Sequence, residues 1–296
     1  MTSTRWRPGR TAVRLLQRAD LPEVLALCSR RPIDSVLAAA RFQELAIASN
    51  RGIEGWGWPR NGPLQAVCWA GANLVPVLSP ELSGPNIHRA IGAFATHAIR
   101  TKNRSSSLVG EQAAVMELWR HLSRSRTARD VRANQPSLIL DDAPRVSPDP
   151  HVRVTRPDEF DTLFPASIAM FTEEVGYSPT DFDGGASYSA RVRYLISRGR
   201  SYVRTGRNEN GEVEVIFKAE VGALTAEVAQ IQGVWVAPKY RGRGLSVSGM
   251  AAVVEHVREA HAPIVSLYVN DYNEPALRSY HSVGFRQVGA YATILF

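Results

Sequence analysis

Alternating and helical patterns of apolar residues are clearest in the second half of the chain. Apolar positions at helical spacing predict one helix over residues 158–174 and another over Leu245–Ala260. Asn210-Gly211 stands between two apolar alternating runs, which predicts a β-hairpin. The remaining predicted elements are strands at 201–205, 213–221, 228–236, 264–269 and 286–296, and a short helix at 275–282 ended by Gly284. The order of strands and helices predicts a mixed α/β fold.

Residues 141–150, DDAPRVSPDP, interrupt this pattern with prolines and aspartates between two apolar segments. Such composition is typical of a linker, so we predict domains at 1–145 and 150–296. The two halves also begin alike, at 13–20 and 152–158, with a Val-Arg strand followed by an Asp suited to cap a helix. They end alike at 107–122 and 266–285. These similarities predict a tandem repeat of one fold.

Composition places the chain among folded proteins. Its 296 residues are 44% hydrophobic and 21% charged, which allows two domains with buried cores. No apolar run approaches the roughly 18 residues of a membrane span, and the N-terminal MTSTRWRPGR lacks the apolar segment of a secretory signal. Cys28 and Cys68 form no metal-binding or disulfide spacing. We therefore expect a cytoplasmic protein without a membrane partner and without a metal.

The net charge of +7 raises the possibility of nucleic-acid binding. Much of the local excess lies in the arginine-rich segment 100–132, which is also typical of a solvated helix end. No helix-turn-helix, zinc-finger or RNA-binding aromatic signature accompanies the charge. We therefore do not expect a nucleic-acid partner, and an anionic cofactor explains some of the basic residues equally well.

The segment 234–250, VWVAPKYRGRGLSVSGM, places basic residues and glycines where a strand gives way to a helix. Gly242 and Gly244 can adopt positive φ and leave room for a ligand, while Arg241 and Arg243 can donate charge-assisted hydrogen bonds. The first turn of a helix adds unpaired N–H groups and the positive end of a dipole. These features predict a pyrophosphate site. The segment fits neither the Walker A pattern nor the Rossmann fingerprint, which requires a third glycine where Val247 stands.

Arg241-Gly242-Arg243-Gly244-Leu245-Ser246 resembles the acetyl-CoA signature [QR]-x-x-G-x-[GA] of the GNAT superfamily of N-acetyltransferases. Ser246 departs from the last position but is small enough for the loop to close. The resemblance covers residues 150–296 strongly and 10–140 weakly. The whole chain is similar to actinobacterial proteins that pair a degenerate N-terminal domain of unknown function with a C-terminal GNAT domain.

The resemblance implies tandem GNAT-like domains, each with a mixed, mostly antiparallel sheet flanked by helices, and acetyl-CoA as co-substrate. The strand at 234–236 would part from the strand at 264–269 at a β-bulge and pair with the pantetheine arm. The residues expected to bind the cofactor are Val234, Trp235, Val236, Arg241, Gly242, Arg243, Gly244, Leu245, Ser246 and Asn273. Asn273 can also simply cap the following helix. In the first half, Pro80, Gly84 and Pro85 stand where the phosphate loop would be, which predicts a scaffold or a wall of the acceptor site.

Direct attack of an amine on a thioester needs an acid for the departing thiolate and a base for the substrate ammonium. Tyr280 matches the family position of the acid, and a phenol is protonated at neutral pH. The base is left open among Glu173, Glu174, Glu220 and Glu227, with Glu173 the first to test.

The sequence thus predicts an acetyl-CoA-dependent N-acetyltransferase acting on a primary amine of a small molecule, peptide or protein. One alternative is an acyl-CoA-binding sensor or interaction module without turnover. Another is a small-molecule acetyltransferase similar to mycothiol synthase. The sequence leaves the acceptor and the oligomeric state open.

Overall fold

The computed structural model describes residues 12–48, 52–181 and 183–296. The N-terminal MTSTRWRPGR, in which the sequence shows no secretory signal, lies outside these ranges. Contacts divide the chain into two compact units. The first unit comprises the chain up to Gln135 together with Ala290–Phe296, and the second comprises Pro136–Gly289. The predicted boundaries, 1–145 and 150–296, differ from these units at residues 136–145, which belong to the second unit, and at Ala290–Phe296, which belong to the first.

The first unit begins with a short strand and a 3-10 turn that lead into two helices. Its elements are β1 (Arg14–Leu15), α1 (Leu21–Ser29), α2 (Pro32–Ile47), β2 (Gly55–Trp58), β3 (Ala66–Ala70), β4 (Asn73–Leu78), α3 (Pro85–Arg100), β5 (Ser107–Glu111), α4 (Gln112–Leu122) and the start of β6 (Asp130–Leu140). Strands β1 to β4 pair antiparallel in sequence order, and β4 pairs with β5 in parallel.

The strand on the other side of β5 comes from the end of the chain. In β12 (Arg286–Leu295), Tyr291 to Leu295 pair antiparallel with Glu111 to Ser107 of β5. The hydroxyl of Tyr291 donates to the carbonyl of Ile33 at 2.8 Å. The core between the sheet, α3 and α4 is apolar and contains Leu74, Phe94, Leu118 and Ile294. Cys28 and Cys68 are buried and free.

The second unit repeats the same order of elements. It contains β7 (Arg153–Val154), a 3-10 turn, α5 (Phe160–Val175), α6 (Ala186–Ser197), β8 (Ser201–Arg207), β9 (Val213–Leu224), β10 (Val228–Val236), α7 (Leu245–Ala260), β11 (Ile264–Tyr268), α8 (Glu274–Val283) and the start of β12. Strands β7 to β10 pair antiparallel in order, and β10 pairs with β11 in parallel. Residues 137–140 of β6 complete this sheet beside β11.

Helices cover both faces of the second sheet. Phe217, Ala219 and Val221 of β9 pack in one core with Met250 and Val254 of α7. On the other face, Phe160 and Leu163 of α5 pack with Val192 of α6 and Val203 of β8. This layering follows from the period-2 alternation of β9 and the helical periodicity of α5 and α7.

The predicted mixed α/β fold class is confirmed, with mostly antiparallel pairing in each unit. The helices and strands predicted between residues 158 and 296 are all present, within a few residues at their ends. The sequence did not predict α6. Within the described ranges, no helix is both long enough and apolar enough to cross a membrane.

Candidate active site

The strand-to-helix junction of the second unit has the backbone geometry that its glycines suggested. Strand β10 ends at Val236, and Pro238–Tyr240 form a 3-10 turn. Gly242 and Gly244 then have φ of 75° and 74°, a left-handed conformation that side chains disfavour. A Cβ atom added at either glycine would meet no atom within 4 Å, so the space beside them is open. Helix α7 begins at the next residue and directs its first N–H groups towards this space.

A cleft of about 590 Å³ opens from this junction. The ladder between β10 and β11 runs from Val228 beside Ile264 to Gln230 beside Ser266. Further along, β10 continues its pairing with β9 as far as Val236. The parted edge of β10 lines the cleft together with the junction and the start of α8. The lining residues are Glu173, Val234, Trp235, Val236, Tyr240, Arg241, Gly242, Gly244, Leu245, Ser246, Val247, Asn273, Pro275, Ala276, Ser279 and Tyr280.

The structure therefore brings together Glu173, Tyr280 and all but one of the residues selected for cofactor binding. The exception is Arg243, which is exposed and is not part of the cleft lining. Its guanidinium carbon lies 5.5 Å from the centroid of the Tyr240 ring, within the range of a cation–π contact. Arg243 thus lies at the edge of the junction, and Arg241 supplies the cation inside the cleft.

Arg241 connects the junction to α5. Its Nε donates to the carbonyl of Val236 at 2.9 Å, and its Nη2 donates to Oε2 of Glu173 at 2.6 Å. The other carboxylate oxygen of Glu173 accepts from the indole N–H of Trp235 at 3.2 Å. Glu173 therefore lies at the cleft, as expected for a base, but it is held as a salt bridge.

Tyr280 is buried at the inner end of the cleft, with 8% of its surface exposed. Burial raises the pKa of its phenol, and the negative charge of Glu174 raises it further. The ring packs edge-on against Phe285, with centroids 5.9 Å apart. Tyr280 is consequently protonated across the neutral range, as a proton donor must be.

The start of α8 forms the remaining wall. The side-chain oxygen of Asn273 accepts from the N–H of Ala276 at 3.3 Å, so the capping role considered for this residue is present. Asn273 also lines the cleft, which leaves its contact with the cofactor as a prediction. The hydroxyl of Ser246, at the variable position of the motif, lies 3.0 Å from that of Ser279. This bond links the first turn of α7 to α8.

The sequence did not identify Lys218 as part of the site. Its side chain is fully buried, and Nζ donates to Oε2 of Glu220 at 3.3 Å and to the carbonyl of Gly233 at 3.1 Å. Oε1 of Glu220 accepts from the amide of Gln232 at 2.8 Å. Gly233 has φ of 60° and lies in the register shift between Gln232 and Trp235. The buried ammonium therefore holds the β-bulge that precedes the cleft-lining part of β10.

The position of Lys218 also bears on two carboxylates considered as bases. Glu220 is committed to Lys218 and Gln232 beneath the bulge. Glu227 is exposed in the turn between β9 and β10, outside the cleft lining. The i, i+2 spacing of Lys218 and Glu220 on one strand was the signal for this pair, since such residues share a face of the sheet.

The described residues contain no group of three or more His, Cys, Asp or Glu placed to hold a metal ion. Glycines with open space beside them, a cationic side chain and a parted strand edge instead fit an anionic, amide-containing cofactor such as acetyl-CoA.

Comparisons with known proteins agree with this geometry. Residues 198–285 match the acetyltransferase (GNAT) family, and residues 53–163 match a domain of unknown function, DUF4081. A mycothiol acetyltransferase from Nocardiopsis dassonvillei is 41% identical over 58 residues, which is 20% of this chain and 18% of that protein. The chain thus spans less than a fifth of the length of this relative in the match.

Two solved structures share the fold at low sequence identity. A GNAT-family acetyltransferase from Colwellia psychrerythraea superposes with a TM-score of 0.59 at 12% identity, over 96% of this chain and 99% of that one. A tandem GNAT protein from the clavulanic acid biosynthesis pathway gives a TM-score of 0.54 at 14% identity, over 95% and 97% of the two chains. The chain therefore carries an acetyltransferase domain of the GNAT family in its C-terminal half, preceded by a domain of the DUF4081 family.

Proposed function

We propose that the second unit transfers an acetyl group from acetyl-CoA to a primary amine. The observation that carries the proposal is the cleft between β10 and α8, which opens directly from the glycine-arginine junction. GNAT-family enzymes generally use acetyl-CoA, whose thioester supplies the activated acetyl group.

Different residues of the cleft would bind different parts of acetyl-CoA. N–H groups of Gly242, Gly244 and Leu245 would hold the pyrophosphate at the start of α7, where the helix dipole favours negative charge. Arg241 would add a charge-assisted bond from inside the cleft. Val234, Trp235 and Val236 would present backbone groups to the pantetheine amides, as a sheet edge does to an added strand. The carbonyl of Val236 already accepts from Arg241, so a pantetheine amide would share this acceptor with the guanidinium or displace it.

Tyr280 would act as the general acid. Its raised pKa keeps the proton on the phenol until the carbon–sulfur bond breaks, and the thiolate then takes that proton. Glu173 is the proposed base that accepts a proton from the substrate ammonium. Its two oxygens are already hydrogen-bonded by Arg241 and Trp235, so a substrate ammonium would compete with these donors for the carboxylate.

Two measurements test this proposal directly. Acetyl-CoA at about 100 times its Kd should stabilise the protein by about 2.7 kcal/mol and raise the Tm by several degrees. A panel of small amines, peptides and protein lysines should then release free coenzyme A thiol from acetyl-CoA for at least one acceptor. A wild-type melt that is unchanged by excess acetyl-CoA would overturn the proposal.

Glu173→Gln tests the base. It should bind acetyl-CoA but lose about tenfold or more in kcat/KM, with a flattened acidic limb of the pH profile, since general bases contribute roughly 10²–10⁴. An unchanged profile would assign Glu173 to holding Arg241 and Trp235 instead.

A second candidate is small-molecule acetyl transfer of the kind named for the mycothiol acetyltransferase relative, supported by the 41% identity over 58 residues. A thiol-precursor amine in the acceptor panel distinguishes it from a peptide acceptor. A third, an acyl-CoA sensor, predicts the thermal shift without turnover on any acceptor.

A further inference from the structure

A cavity of about 450 Å³ lies beside α3 in the first unit, within the range of small-molecule sites, roughly 300–1,000 Å³. We call it the α3 cavity. It is lined by Ala12, Trp58, Arg89, Gly92, Ala93, Thr96, His97 and Arg100. The matches and the proposed acetyl transfer leave this region without a function.

We propose that the α3 cavity binds a small organic anion, with a carboxylate or phosphate group on a flat apolar body.

The charged residues that line the α3 cavity are basic. Arg89 and Arg100 lie on the same stripe of α3, eleven residues and therefore about 16 Å apart along the helix. The described residues that line the cavity include no aspartate or glutamate. Arg89 donates to the side chain of Asn86 at 3.3 Å and forms no salt bridge with any described residue. A surface arginine of this kind can meet a carboxylate or phosphate with two parallel hydrogen bonds.

His97 adds a buried imidazole to the lining of the cavity. It lines the cavity with only 7% of its surface exposed, and its Nδ1 is buried without a hydrogen-bond partner among the described residues. Buried polar atoms are normally paired, so the unpaired Nδ1 of a side chain that lines a cavity marks this ring as a group with unused hydrogen-bonding capacity. Burial and the nearby charge of Arg100 lower the pKa of His97, so the ring is neutral at neutral pH. A neutral ring does not repel a polar ligand atom of either sign.

The shape of the lining indicates the body of the ligand. Because Gly92 and Ala93 have little or no side chain, the surface of α3 is recessed between the two arginines. Trp58 adds a half-buried aromatic side chain to the lining. The ring of Trp56 packs edge-on against His97 at 4.8 Å and fixes the imidazole from behind. Small residues beside an aromatic wall suit a flat apolar group.

The test uses the full-length protein and three naphthalene probes. By isothermal titration calorimetry, 2-naphthoate or 2-naphthyl phosphate should bind at least tenfold more tightly than neutral 2-naphthamide. Tighter binding of 2-naphthoate indicates a carboxylate ligand, and tighter binding of 2-naphthyl phosphate indicates a phosphate ligand. Binding should also shift the ring signals of His97 in a two-bond ¹H–¹⁵N spectrum, and saturating coenzyme A should leave the affinity unchanged.

Three variants locate the binding. Arg89→Gln should weaken the affinity for the better anionic probe about tenfold, the loss of one charge-assisted contact. Thr96→Trp, at an exposed position of the rim, should block binding. Arg124→Gln removes the same charge from an exposed site outside the cavity and should change nothing.

Several results would overturn the proposal: no saturable binding of either anion at millimolar concentration, equal binding of 2-naphthamide, displacement by coenzyme A, or affinity unaffected by Arg89→Gln. Since Arg89 and Thr96 are exposed, both variants should fold, and a Thr96→Trp protein that failed to fold would leave Arg89→Gln as the deciding variant.

Discussion

The two units share one order of elements but differ where their fourth strand meets the following helix. In the second unit, β10 leads to α7 through two left-handed glycines, and α7 begins with Leu245, whose N–H is available to a ligand. In the first unit, β4 leads to α3, which begins with Pro85 and so lacks that donor. One strand-and-helix arrangement therefore leaves an N–H donor at the start of the helix in one unit and a proline at the same place in the other.

The parallel strands after this junction differ as well. In the first unit the ladder between β4 and β5 pairs Asn73 with Ser107 and Leu74 with Leu108. The next residues of β4 include Val75 and Val77, which are buried. In the second unit the corresponding residues of β10 are half-buried and line the cleft. Buried side chains thus follow the paired part of β4 in the first unit, whereas residues that line the cleft follow the paired part of β10 in the second.

The helix after the fifth strand shows the same contrast. Glu111 caps α4 and Asn273 caps α8, each through a side-chain bond to the N–H three residues later. Seven residues after the cap, the second unit has Tyr280 and the first has the fully buried Leu118. The first unit therefore has a core leucine where the second has its proposed acid. The fold therefore allows a site at this place, but the residues at these positions decide whether one is present.

The largest expected effect concerns the buried pair of the second sheet. Lys218→Met should destabilise the protein by about 3–5 kcal/mol, because Glu220 is left buried and unpaired. Replacing both residues, as Lys218→Met with Glu220→Leu, should restore most of the stability in chemical denaturation. It should not restore acetyl-CoA affinity, since the carbonyl of Gly233 still lacks its donor. Wild-type affinity in the double variant would show that the bulge holds without the ammonium.

The junction itself can be tested with matched glycines. Gly244→Asp should weaken acetyl-CoA binding about 100-fold, or 2.7 kcal/mol, because a carboxylate would face the phosphates. Gly84→Asp places the same side chain before α3, where φ is also positive and no atom lies within 4 Å of the new Cβ. Gly84→Asp should lose more intrinsic stability, because ψ is −128° at Gly84 and 3° at Gly244, but it should bind acetyl-CoA normally in calorimetry. Equal losses of affinity in both would contradict the contrast between the units.

Tyr280→Phe is expected to lower kcat about 30-fold, or 2 kcal/mol, while acetyl-CoA still raises the Tm as in wild type. Steady-state kinetics with the best acceptor, alongside thermal melts, separate these effects. Tyr272→Phe removes a hydroxyl from an exposed residue near α8 and serves as the control. If Tyr280→Phe turned over at the wild-type rate, Tyr280 would be only a core residue like Leu118.

The local pattern of apolar and polar residues was sufficient to predict most helices and strands of the second unit. The helical spacing of Phe160 and Leu163 located α5, and the glycine-arginine run located the junction before α7. Helix α6 was missed because polar residues fill its first turns and its buried residues, Val192, Leu195 and Ile196, cluster at one end. Periodicity over so few apolar positions does not distinguish a helix from a loop.

Sequence patterns did not predict which residues far apart in the chain would pair or bond with each other. The strand at the end of the chain was predicted, but its pairing with β5, some 180 residues earlier, depends on tertiary structure. The salt bridge of Arg241 with Glu173 likewise joins residues 68 positions apart. For this reason the sequence suggested a base and a phosphate contact separately, without the bond between them.

The smallest expected effect concerns two sets of surface ion pairs, one on α4 and one on α8. Glu117 binds Arg120 at 2.7 Å and His88 at 2.9 Å, and the bond from Arg120 above all lowers the pKa of Glu117 to about 2. Glu274 forms one exposed pair with Arg278. Because the folded pKa of Glu117 is depressed, its contribution is present above its unfolded pKa, near 4.5, and is lost as pH falls towards 2.

Glu117→Gln should therefore cost about 1 kcal/mol at pH 7, a value limited by solvent screening of the exposed partners, and almost nothing near pH 2. Glu274→Gln should cost less than about 0.5 kcal/mol at pH 7, as exposed helix pairs do. Urea denaturation of both variants and wild type at a series of pH values measures the difference. A cost for Glu117→Gln that stayed constant down to pH 2 would mean that the packing of the Glu117 side chain, and not its charge, stabilises α4.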